Sequence, residues 1–218
     1  MDFTHWESVF QQFLTTEVGA DAAHDLSHIR RVVFNATRFA AEEGAAMAII
    51  FPAAWLHDCV AVPKDSPDRP RASRLAAERA GEFLRQVRYP ESHLFDIEHA
   101  IAAHSFSAQI PPQTIEAKVV QDADRIDALG AIGLARCFIV GGQLQRPIYD
   151  EVDPFCQHRS PDDTVSSLDH FYTKLFKLLD TMQTDAGRQE AQRRTDFLKL
   201  YLAQLVQELP TTDQALPV

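Results

Sequence analysis

Nearly every patterned stretch of this 218-residue chain repeats its apolar side chains at helical spacing, and no convincing run alternates as a strand would. In the segment DLSHIRRVVFNATRFAAEEG, Leu26, Ile29, Val33, Ala36 and Ala40 recur three or four residues apart. Gly44 then stands where a left-handed helix terminator is expected. The next segment, Ala45 to Asp58, is apolar nearly all round and predicts a central buried helix, with Pro52 in its first turn or kinking it.

Helical spacing resumes at about 72–88, at 90–104 with Pro90 in the first turn, and at 114–140 with a break near Gly130 or Gly133. Two more amphipathic helices are expected at about 165–180 and 185–208, before a polar tail over 209–218. Proline-rich, charged residues 61–72 and the segment 141–163 read as long loops, long enough to cover a site. The length suits one core. The expected fold is therefore an all-α, single-domain bundle of roughly eight helices, with the C-terminal pair packed on a core spanning about 24–130.

Charge narrows the function. With 21 basic against 31 acidic residues the formal net charge is −10, which argues against nucleic-acid polymers and anionic membranes as partners. A small phosphorylated substrate needs only a local group of cations and is not excluded. Three widely spaced cysteines, Cys59, Cys137 and Cys156, signal neither a disulfide framework nor a thiolate zinc site. The opening MDFTHWESVFQQF lacks the basic-then-apolar pattern of a signal peptide, and no apolar run reaches membrane-spanning length, so a cytoplasmic location is expected.

The chemistry-bearing residues are histidines and aspartates. His28 lies at the edge of its helix's apolar arc beside Val32 and Phe39, and the buried helix ends in the pair His57-Asp58. Further on, VVQDADRIDALGAIGLAR sets Asp122, Asp124 and Asp127 among Val, Ile and Ala. Carboxylates this dense in apolar surroundings need a compensating charge, which a cation supplies. Asp124 and Asp127 share a side with Val120, whereas Asp122 points away and is expected to cap a helix or to face solvent. Asp25, in the second His-Asp dipeptide His24-Asp25, reads as the N-cap of its helix.

The ordered set His28, His57-Asp58 and Asp124 resembles the H…HD…D signature of the HD-domain phosphohydrolase superfamily. The segments AAHDLSHIRRV, PKDSPDRPRAS, IAAHSFSAQ, EAKVVQDADRIDALGAIGLAR and LDHFYTKLFKLLDTMQT are similar to its small stand-alone bacterial YedJ-like branch, so the likeness covers nearly the whole chain. The resemblance implies an all-α fold binding one divalent metal through His28, His57, Asp58 and Asp124, with His57 and Asp58 acting in catalysis through the water the ion activates. Two imidazoles and two carboxylates suit Mn, with Fe, Co, Ni and Mg also compatible, and leave octahedral positions for water and a phosphoryl oxygen.

For the stand-alone branch the resemblance further implies nucleotide pyrophosphohydrolase activity, in which water attacks the α-phosphorus of a nucleoside triphosphate and pyrophosphate leaves. The alternatives are a phosphomonoesterase or nucleotidase, an alarmone hydrolase, and a non-catalytic nucleotide-binding module that the metal stabilises. Candidate substrate-binding residues are Lys64 and Arg74 in and after the proline-rich loop, His104 on the Ile97–Ile101 face of its helix, and Lys174. Asp127 is expected to orient a ligand. Ala61 and Val62 stand where some HD enzymes carry an acidic residue, so the resemblance supplies no general base.

Overall fold

The computed structural model describes residues 1–18, 22–62, 66, 68–105 and 108–210. Among them lie nine α-helices: α1 (Phe3–Val18), α2 (Ala22–Glu43), α3 (Met47–Leu56), α4 (Ala72–Gln86), α5 (Leu94–His104), α6 (Ile115–Arg125), α7 (Gly130–Gln143), α8 (Asp169–Thr173) and α9 (Asp185–Glu208). Short 3-10 segments cover Arg69–Arg71, Glu91–His93, Ile126–Ala128 and Leu175–Thr181. No β-strand occurs among the described residues, and the all-α class stands. The chain divides into two compact units, one of Met1–Asp124 with Gln183–Gly187 and one of Arg125–Met182 with Arg188–Val218.

The first unit is built around α3. Its residues Ile49 to Leu56 are all buried, as an all-round apolar sequence requires. Helices α1, α2 and α5 pack against it. Pro52 sits inside the helix rather than in its first turn. It has no N–H to donate to the carbonyl four residues earlier, that of Ala48. The Tyr89 hydroxyl donates to that oxygen at 2.6 Å, and burial pushes the Tyr89 phenol up to about 12. Tyr89→Phe should therefore lower stability by ~1–3 kcal/mol by leaving a partly buried carbonyl without its donor. Thermal unfolding checks this, and an unchanged midpoint would show that Ala48 finds another donor.

Helix α1 is an addition to the elements expected from sequence. Its N-terminus is capped by Asp2, whose Oδ1 accepts from the N–H groups of Thr4 at 3.1 Å and His5 at 3.2 Å. Phe3, Phe10 and Phe13 bring its apolar stripe onto the core, with Phe13 stacked on Phe83 at a centroid distance of 3.8 Å. Helix α2 ends as expected: Gly44 has φ +67° and the Ala45 N–H closes onto the Ala40 carbonyl at 3.0 Å, a Schellman closure. Its start differs. The helix begins at Ala22, so Asp25 lies within the first turns and not at the N-cap.

Asp122 resolves in favour of capping. It is fully buried on α6, and its carboxylate accepts from the N–H groups of Gln183 and Thr184 and from the Thr184 hydroxyl. Thr184 Oγ1 in turn accepts the Gly187 N–H at 3.0 Å, forming the N-terminus of α9.

In the second unit the helix expected at 165–180 is two pieces, α8 and the 3-10 segment from Leu175, separated by Lys174 at φ −136°. Phe138, Phe171 and Tyr201 form an aromatic cluster there, with Phe171 and Tyr201 stacked at 6.2 Å. The long loop before α8 is organised by carboxylates. Asp169 is buried and accepts from both terminal nitrogens of Arg159, from the Ser166 hydroxyl and from the Asp162 N–H. Among the described residues no single helix is long and apolar enough to cross a membrane.

Candidate metal centre

The site lies within the first unit, at the ends of its helices. His57 is the C-cap of α3, Asp58 follows in the turn, His104 is the last residue of α5, Asp124 sits in the last turn of α6, and His28 projects from α2. A helix leaves its final carbonyls without intrahelical partners. Both terminal histidines satisfy one: His57 Nδ1–H donates to the Ala54 carbonyl at 2.8 Å and His104 Nδ1–H to that of Ile101 at 2.6 Å. The same local geometry therefore fixes both rings and leaves each Nε2 to face the site.

Four predicted ligands converge. His57 Nε2 is 3.3 Å from His28 Nε2, 3.8 Å from Asp58 Oδ2 and 3.8 Å from Asp124 Oδ1. His28 Nε2 lies 3.3 Å from Asp124 Oδ1 and 4.0 Å from Asp58 Oδ2. Ligand atoms of His28, His57 and Asp58 all fall within 4.8 Å of one another. Imidazole nitrogens sharing one ion at ~2.1 Å stand ~3.0–3.4 Å apart in octahedral or tetrahedral coordination, and the His28–His57 spacing fits. The donor set of two neutral nitrogens and two anionic oxygens suits a divalent cation, so residues and geometry agree with the group.

The electrostatics favour the ligating forms. Burial holds the His57 imidazole below its ordinary pKa, which keeps it neutral and its Nε2 lone pair available near pH 7. Against the cost of burial, His57, followed by His104 and His28, holds the Asp58 carboxyl well below the usual carboxylate range. Burial likewise opposes ionisation of Asp124, and contact with His28 more than offsets it. His57 is fully buried whereas the Asp58 side chain is 54% exposed, so the cluster has one wall in the core and one open to solvent.

Among the other candidates, His104 joins this group: its Nε2 is 3.5 Å from Asp58 Oδ1 and its ring packs edge-on against His57 at 4.9 Å. Burial opposes charge on His104, but the neighbouring Asp58 and Asp124 carboxylates outweigh it and raise its pKa. Arg74 is exposed on α4. Asp127 belongs to the second unit, where it is buried and accepts from Arg136 Nη1 at 2.6 Å. Lys174 is exposed in that unit and lines a cavity. Lys64 lies outside the described residues. Sequence reading missed the carbonyl anchors Ala54 and Ile101. The available signal was a histidine at the end of each of two apolar helices.

Residues 25–129 match the model of the HD domain. The chain is 31% identical over 207 residues to the uncharacterized protein YpgQ of Bacillus subtilis (strain 168), covering 93% of this chain and 91% of that protein. The crystal structure of B. subtilis YpgQ in complex with ADP superposes with a TM-score of 0.75 at 30% identity, over 98% of this chain and 100% of the other. An HD-superfamily hydrolase from Bacillus thuringiensis does so with a TM-score of 0.73 at 34% identity, over 94% of this chain and 99% of the other. The terminal histidines, the adjacent aspartate and the carboxylate on α6 thus occur in a chain that belongs to the HD-domain superfamily of hydrolases.

Proposed function

We propose that this protein is a metal-dependent nucleotide pyrophosphohydrolase that releases pyrophosphate from nucleoside triphosphates, with Mn(II) as its ion. The observation that carries the reading is the convergence of His28, His57, Asp58 and Asp124 at one half-open cluster. The ADP complex of YpgQ adds support for a nucleotide as ligand. A divalent cation held by these four side chains supplies Lewis acidity and lowers the pKa of water.

The chain's own residues do the rest. The Ala54 carbonyl locks the His57 tautomer, and His104 positions the Asp58 carboxylate from the opposite side. The exposed edge of Asp58 is where a phosphate approaches. Lys64, Arg74 and Lys174 are the proposed phosphate partners, and Asp127 the proposed positioning group. Water adds to the α-phosphorus as the bond to the bridging oxygen breaks, giving a monophosphate and pyrophosphate.

The test is purified protein with Mn(II) and a panel of nucleoside mono-, di- and triphosphates, products resolved chromatographically. Pyrophosphate and monophosphate in equal amounts from a triphosphate are expected. Orthophosphate from a monophosphate would identify a phosphomonoesterase instead, and nucleotide-dependent thermal stabilisation without product would identify a binding module.

A further inference from the structure

The second unit contains a cavity of about 270 Å³ whose lining includes Lys174 but none of the proposed metal ligands. Arg136, Arg146 and Lys174 line it together with His170, and Asp163 is the one carboxylate among its lining residues. That carboxylate is already engaged, accepting from His170 Nδ1 at 2.7 Å. Arg136 is bound to the buried Asp127. Neither Arg146 nor Lys174 forms a salt bridge among the described residues. Three cationic side chains thus surround one hollow whose lining holds a single carboxylate, Asp163, which His170 and Arg146 share. Like charges held around a cavity repel unless an anion sits between them.

Size narrows the anion. Pockets that enclose a whole small molecule run to ~300–1,000 Å³, and this one falls just below that range. It has room for a phosphate or diphosphate group without an attached nucleoside. The lining also has the donors such a group needs: guanidinium forks and an ammonium, with the Ser167 hydroxyl and the His170 ring beside them.

We infer that the cavity bounded by Arg146, Lys174 and His170 is an anion site for a diphosphate group. The inference does not rest on the metal centre, because every lining residue belongs to the second unit. Titration calorimetry with inorganic pyrophosphate, on protein treated with EDTA, tests it directly. Wild type and Asp58→Ala should bind alike, while Arg146→Gln and Lys174→Gln should each weaken binding by about tenfold or more. Lys174→Arg, which keeps the charge, should restore most of the affinity and guards against a folding defect. Absence of binding in the wild type, binding unaffected by both neutralising variants, or loss in Asp58→Ala would overturn the assignment. Inhibition kinetics then separate the sources: pyrophosphate competitive with nucleotide marks the substrate's own phosphates, and non-competitive inhibition marks a separate anion. The calorimetric result stands whether or not the protein turns nucleotides over.

Discussion

Asp58→Ala is expected to leave a folded protein that no longer holds a divalent ion and hydrolyses nucleotide at least ~10³-fold more slowly, a barrier increase of ~4 kcal/mol. The size of the effect follows from the position of the residue. Asp58 provides one of two anionic oxygens in a set otherwise made of neutral imidazoles, and three histidine Nε2 atoms lie within 4.0 Å of its carboxylate. Without it the cluster loses charge to balance the ion, and His104 loses the group it positions. Its side chain is 54% exposed, so the substitution opens no large core cavity and the loss reads as chemistry rather than unfolding. His57→Ala should have the same two consequences plus a stability cost, because that ring is fully buried and caps the Ala54 carbonyl. Metal analysis after dialysis, with turnover before and after Mn(II) is added back, decides the matter. Retained turnover in the metal-free variants would defeat the metal-centred reading.

That cluster was legible before any coordinates because its parts sit at places where local rules speak. An apolar run that ends in His57-Asp58, and carboxylates embedded among Val and Ala on α6, conflict with simple burial and so announce a site. Gly44 was equally plain, since a left-handed terminator is a local matter. What escaped sequence reading was set by partners distant in the chain. Tyr89 answers a carbonyl orphaned by Pro52, and a proline alone does not show which side chain will come to its aid. The break at Lys174 interrupts a segment whose apolar spacing suggests one continuous helix. Helix α1 had its signal in Phe3, Trp6, Phe10 and Phe13, at spacings of three and four residues. Arg146 and His170 come to one cavity from opposite ends of a long loop, which no periodicity records.

Asp122→Ala should cost ~3 kcal/mol of stability and should lower the unfolding midpoint by ~6–12 °C. The fully buried carboxylate accepts two backbone N–H groups and a hydroxyl from Gln183 and Thr184, and nothing in an alanine replaces those acceptors. The two Thr184 donors would be left buried without an acceptor and the partly buried Gln183 N–H would lose its partner, each carrying part of a desolvation penalty. Asp122→Asn keeps one acceptor oxygen and should lose about half as much. The clamp also ties the last turns of α6, which carry Asp124, to the start of α9. Metal affinity should therefore fall in Asp122→Ala by a modest factor, ~10-fold, through displacement of Asp124 rather than loss of a ligand. Calorimetric unfolding and metal titration on the same preparation distinguish the cases: a destabilised protein with unaltered affinity would show that Asp122 braces the fold alone, and an unchanged midpoint would show that it braces nothing.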